Sequence, residues 1–328
     1  MHFHQRPTDA VPRRPWWLTP HCRTVLVLAL LLPGLASAQR FAFKYYSHDE
    51  GLTSLDVHSL LQDRTGYVWV ATQDGLFRYD GARFTGFYTA NGLPSNRVLS
   101  LHQSADGTLW AGTRDGLARF DGQNFKSVTL PEWVGFAGES SLASDAHGRL
   151  YAGTIRGLWA IDIRSGSAAR LYPRRSAAGN PEVYGVHVDP KGVVWFGCGM
   201  ALCYYEKDKV SVLGEEHGVP KDIWNAILTD HEGNLWIRSS TRLLTRGRLG
   251  KQFVVVNNIP EASTPGSLHL QTNGTLLVPT RHGLMRQSAT GWDRIGREHG
   301  LFVSMAACVL EDREGSIWIG LDGSGLAR

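Results

Sequence analysis

One stretch of this chain is written again and again. Residues 107–125 read GTLWAGTRDGLARFDGQNF, and 41 residues earlier the chain reads GYVWVATQDGLFRYDGARF. Taking the glycine before each tryptophan as a ruler, copies fall at Gly66, Gly107, Gly148, Gly192, Gly233, Gly274 and Gly315, with spacings of 41, 41, 44, 41, 41 and 41 residues. A period held that steadily leaves three kinds of fold, namely solenoids, propellers and helical arrays.

The interior of one unit chooses among them. Segments such as VLSLHQS, TLWAGT, LARFD and FKSVT are short, rich in β-branched and aromatic residues, and parted by Asp-Gly or glycine-containing turns, so each unit supplies four strands. No window carries an apolar stripe at helical spacing long enough for paired-helix repeats. Four strands in about 41 residues, seven times over, predicts an all-β fold: a single seven-bladed β-propeller over residues 39–328. The first strand of each unit supports this, because its central column is small in every copy: Ser59, Ser100, Ser141, Gly185, Ala226, Ser267 and Cys308. Strands crowding toward a shared axis need small residues there. A solenoid has no such axis.

The seventh unit stops at Arg328, one strand short, whereas FAFKYYSHDEGL near the start matches FTGFYTANGL, the outermost strand of the first unit. Residues 41–48 are therefore expected to pair with the third strand of the last unit, closing the ring and burying two open edges.

The stretch GLPSNRVLSLHQSADGTLWAGTRDGLARFDGQNF resembles the two-component regulator propeller repeat, and the resemblance extends over residues 39–328. It is degraded in the third and sixth units, where Tyr151 and Leu277 replace tryptophan. The resemblance implies a periplasmic sensor propeller of hybrid histidine kinases and diguanylate cyclases, here without its output domain, either truncated or stand-alone. It also implies that any kinase or cyclase activity would lie in the missing output domain. The competing reading is a propeller lyase or hydrolase resembling virginiamycin B lyase, which would need a histidine and a carboxylate converging on one face.

The ends and the charge fit export. Arg13, Arg14 and Arg23 precede an apolar run, Thr24 to Leu35, that closes on Ala36-Ser37-Ala38, so residues 1–38 read as a signal peptide. The run is too short for a bilayer, which takes roughly 20 residues, and no transmembrane span is expected after its removal. That leader holds four of the 34 basic residues and one of the 30 acidic ones, leaving the remainder nearly neutral. A nucleic-acid partner is excluded, since that needs a clustered basic face. The expected location is periplasmic or secreted.

Chemical motifs are sparse. Asp63, Asp145, Asp189, Asp230 and Asp312 recur three residues before the ruler glycine, where aspartate caps a turn by accepting backbone N–H bonds. His102, His187 and His269 share a column, but on the second, fourth and sixth blades they are spread around the axis, so no metal is expected. There is no nucleophile elbow, phosphate loop or zinc signature, so neither an enzyme nor a cofactor is expected. Cys198 and Cys203 bracket GMAL in the fourth unit, where a disulfide and a pair of reduced packing residues both fit. Cys308 reads as an inert buried thiol.

That leaves the loops. Between second and third strands the units read TQDG, TRDG, TIRG, CGMA, SSTR, TRHG and LDGSG, held to similar length and varied in charge. A rigid scaffold presenting a recognition surface has this property. Arg114, Arg156, Arg242 and Arg281, with His282 beside the last, are expected to form a positive rim. Asn96, Arg97, Trp224 and Asn225, from the loops that enter the first strands, add polar and aromatic contacts. The expected ligand is a small molecule or anionic oligosaccharide, or else a periplasmic or membrane signalling protein, held by arginine bonding and stacking.

Overall fold

A computed structural model describes residues 41–328 apart from 133, 174–180, 263–266 and 303–304. The expected signal peptide lies outside the described residues. Seven four-stranded antiparallel sheets are present, each with its strands in sequence order except the last. The first blade comprises Val57–Gln62, Val68–Thr72, Gly75–Tyr79 and Phe84–Phe87. At six of the seven seams the first strands of neighbouring blades contact one another, and so line the axis.

The last blade is made from both ends of the chain. Tyr45–Tyr46 pairs with Gly325–Ala327, placing Tyr45 opposite Ala327 and Tyr46 opposite Leu326. Lys44 and Arg328 exchange backbone bonds of 2.9 and 2.8 Å just beyond. The pairing expected from the sequence is the one found.

The core is partitioned into seven apolar clusters, one at each seam between neighbouring blades. The repeat tryptophan is the main filler of a seam: Trp69 packs with Phe87, Phe120 and Phe125 at centroid distances of 5.4, 5.1 and 6.1 Å. Small residues at the axis and large ones at the seams give each blade a taper, and repetition closes the ring.

The ruler glycines have a simple cause. All seven sit at φ between 80 and 100°, which a side chain rarely tolerates, in the turn between first and second strands. Among the described residues no helix is long and apolar enough to cross a membrane.

Candidate functional site

The propeller has two faces, and they use polar residues differently. On the face carrying the turns between first and second strands, the repeat's own aspartates are consumed by the fold. Asp63 Oδ1 accepts the backbone N–H groups of Thr65 and Tyr67 at 2.9 and 3.1 Å, while its Oδ2 accepts Trp69 Nε1–H at 2.7 Å. Asp189, Asp230 and Asp312 receive Trp195, Trp236 and Trp318 in the same way, and Asp145 receives the Tyr151 hydroxyl. Where the acceptor is Ser104, its Oγ accepts the Trp110 indole at 3.0 Å. The turn-capping expectation holds, with a further duty that the sequence did not disclose: an acceptor for the seam-filling ring.

The three histidines of one column are stitches between blades. His102 Nε2 lies 2.8 Å from Ser144 Oγ and His187 Nε2 lies 2.9 Å from Thr229 Oγ1, while His269 Nε2 accepts the Glu311 backbone N–H at 3.0 Å. Each bond reaches the next blade. Burial pushes His102 and His187 down to about 4 and lowers His269, so all three are neutral near pH 7. Among the described residues no three metal-ligating side chains converge.

The opposite face gathers the loops that enter each first strand and those joining second to third strands. The expected rim is only partly as read. Arg114, Arg156, Arg242, Arg281 and His282 are exposed. Arg242, however, pairs with Asp222 at 2.8 Å and Arg281 with Glu261 at 2.9 Å. Asn96 is tied down: its Nδ2 donates to Asp74 Oδ1 at 3.0 Å and its Oδ1 accepts the Thr89 N–H at 2.9 Å. Two expectations are corrected. Trp224 is fully buried in the seam between fourth and fifth blades, with its backbone carbonyl against Gly197, and Asn225 is 4% exposed. Both lie in the segment just before the first strand of the fifth blade, Ala226–Thr229, and are buried there, so neither presents a side chain to solvent.

Beneath this rim lie charged residues that the sequence reading missed. Arg238 is fully buried near the end of the second strand of the fifth blade, a column that otherwise reads Ala71, Gly112, Gly153, Gly197, Pro279 and Gly320. A side-chain atom at those glycines would run into the first strand of the next blade or the segment entering it, and at Gly320 also into Cys308, whereas Arg238 reaches toward the segment leading into the sixth blade. Its Nη2 donates to the Pro260 carbonyl at 2.8 Å, but Nε and Nη1 have no partner. Burial lowers Arg238 to about 10, against the pull of Asp222, which leaves it cationic.

Glu139 stands in a column otherwise read as Val57, Val98, Val183, Trp224, Pro265 and Ala306. Its Oε1 lies 3.6 Å from His58 Nδ1. Burial pushes the carboxyl up to about 7, against the pull of His58. Glu139 Oε2, His58 Nε2 and Arg97 Nε are buried without partners. Comparing core columns, rather than loops, would have flagged both Arg238 and Glu139.

Cys198 and Cys203 form a disulfide between the second and third strands of the fourth blade. Cys308 is buried, and burial pushes its thiol well up, consistent with an inert packing role.

The two component regulator propeller pattern matches residues 51–74 and 92–115. No curated protein matches the chain by sequence. Among solved structures, the extracellular domain of the hybrid two component system BT3049 from B. thetaiotaomicron is similar over 88% of this chain and 41% of that one, with 20% identity and a TM-score of 0.73. The corresponding domain of BT4673 from the same organism gives 23% identity and a TM-score of 0.71 over 88% and 39%. The chain thus spans about two fifths of those domains. Virginiamycin B lyase from Staphylococcus aureus is similar at 13% identity and a TM-score of 0.66, over 87% of this chain and 98% of that one. At these identities the likeness is one of fold.

Proposed function

We infer, for a chain built from two component regulator propeller repeats, that it is the ligand-recognition module of a periplasmic or extracellular sensor, with no catalysis of its own. The observation that carries this is the asymmetry between the faces. All but two of the buried side-chain nitrogens and oxygens that lack a partner among the described residues, the exceptions being Arg78 Nε and Trp159 Nε1, lie on the loop face beneath the rim. Leaving buried donors unspent costs about 1–3 kcal/mol each, and such groups concentrate where function requires them. Arg97 and Arg238 supply cationic donors there, with Arg114 and Arg156 exposed above, a set suited to carboxylate or sulfate groups of an anionic oligosaccharide.

Calorimetry with a galacturonate trisaccharide and a sulfated tetrasaccharide tests this. Arg97→Ala with Arg114→Ala should weaken binding of the preferred probe by more than tenfold, while Lys191→Ala with Arg248→Ala on the opposite face leaves it unchanged. If neither probe binds, or if the second pair matters and the first does not, the reading fails.

One observation favours a lyase: His58 and Glu139 converge on the loop face. Their outer atoms are sealed from solvent, which leaves a substrate no approach in this conformation. Turnover of streptogramin B by the wild-type chain and not by Glu139→Gln would reverse the order of the two readings.

A further inference from the structure

The seam between the sixth and seventh blades lacks its filler. Six of the seven ruler columns place an aromatic ring three residues after the glycine, and the sixth places Leu277. In the first seam, Trp69 lies among Leu76, Phe87, Leu109, Ala111 and Phe120, with Arg78 over the ring at 5.7 Å. A shift of 208 residues carries Trp69 onto Leu277 and carries that surrounding shell onto Leu284, Ile295, Ile317, Ile319, Arg328 and, for Arg78, Arg286. Every one of these lines a cavity of about 510 Å³. The cavity wall is therefore the shell of a tryptophan that the sixth repeat does not have. Phe41 and Phe43, from the segment that leads into the closing strand, complete it.

The polar partner of the missing ring has changed as well. Where four of the other tryptophans donate to an aspartate, this seam has Gln271, which also lines the cavity and is anchored by its Nε2 donating to Glu311 at 2.8 Å. Arg286 approaches Asp293 at 3.7 Å, and Arg328 lies over Trp318 at 5.0 Å. Pockets of this size, mostly apolar with a few fixed polar groups, are typical of small-molecule sites.

We propose that this seam binds a planar aromatic ligand bearing a ring N–H or phenolic O–H, which occupies the place of the absent tryptophan. The ring packs on Leu284, Ile295 and Ile319, Arg286 lies over its face as Arg78 does over Trp69, and Gln271 stands where the indole acceptor stands elsewhere. The site is separate from the loop-face reading and uses none of its residues.

The test uses 5-fluoroindole followed by ¹⁹F NMR, with the full chain. Binding with a dissociation constant on the order of 0.1–1 mM is expected for so small a ligand. Leu277→Trp with Gln271→Asp restores the repeat and should weaken binding by more than tenfold. Arg286→Ala should weaken it by roughly 3- to 30-fold through loss of the cation over the ring. If the double variant does not fold, Arg286→Ala decides. No binding at several millimolar, undiminished binding by a folded double variant, or undiminished binding by Arg286→Ala would each overturn the proposal.

Discussion

Replacing Tyr46 by alanine removes the side chain by which the closing strand grips the ring. Tyr46 is 2% exposed and stacks on Trp318 at 5.4 Å, with edge contacts to Tyr79 at 5.3 Å and Phe84 at 5.8 Å. Truncating a buried aromatic to alanine typically costs about 3–5 kcal/mol, and the cavity left here abuts two blades at once. Domains of 150–250 residues lose roughly 2–4 °C per kcal/mol, so the thermal midpoint should fall by about 10 °C. Differential scanning calorimetry measures it, with Val254→Ala, in a 57% exposed outer strand, as the control. Deleting residues 41–47 should have a larger effect, and a FAFKYYS peptide should restore part of the loss by adding back the strand. A fall under about 3 °C for Tyr46→Ala, or no difference from the control, would mean that closure contributes little and that the seams alone hold the ring.

Two other expectations follow from the interior. His102 and His187 have folded values depressed to about 4, below their unfolded value near 6.5. The unfolded chain therefore binds more protons in that window, and stability falls as pH drops from about 6.5 to 4, by up to about 3 kcal/mol per histidine. Glu139, raised to about 7, acts in the opposite sense between 7 and 4.5 and offsets about one histidine's share. Urea melts at pH 7, 5.5 and 4.5 should show a flatter profile for the His102→Gln, His187→Gln double variant than for the wild type, and a steeper one for Glu139→Gln. Replacing Cys198 and Cys203 by alanine should cost about 2 kcal/mol from the short loop they close, read as a lower urea midpoint that matches the wild type under reducing conditions.

The ring was legible because repetition turns weak local signals into strong ones: a single TLWAGT is ambiguous, and seven in register are not. Closure was legible because the last unit is short by a strand that the N-terminal residues 41–48 can supply. The loop face was harder. Trp224 and Asn225 look like loop residues by position, and they do precede the strand, yet the segment entering the fifth blade turns inward and buries them. Arg242 and Arg281 look free in their own loops, yet their acids, Asp222 and Glu261, come from segments 20 residues away. Arg238 and Glu139 break core columns, where loop comparison does not look. The Leu277 substitution was visible in the sequence, but only its neighbours in space show that an open cavity surrounds it.

The two-ended blade also orders events in time. Six blades are local and can form as soon as their own 41 or so residues are available, but Tyr45 meets Ala327 only when all seven units are present. Pairings of such sequence separation are slow, since the intervening chain must be fixed before the contact rewards it. Until then Phe41, Phe43, Tyr45 and Tyr46 form an unpaired aromatic edge beside an equally unpaired third strand, the combination that recruits strands from neighbouring molecules. The step most exposed to misassembly in this propeller is thus the closure of its ring, and the yield of closed rings should depend on chain concentration more steeply than their stability does.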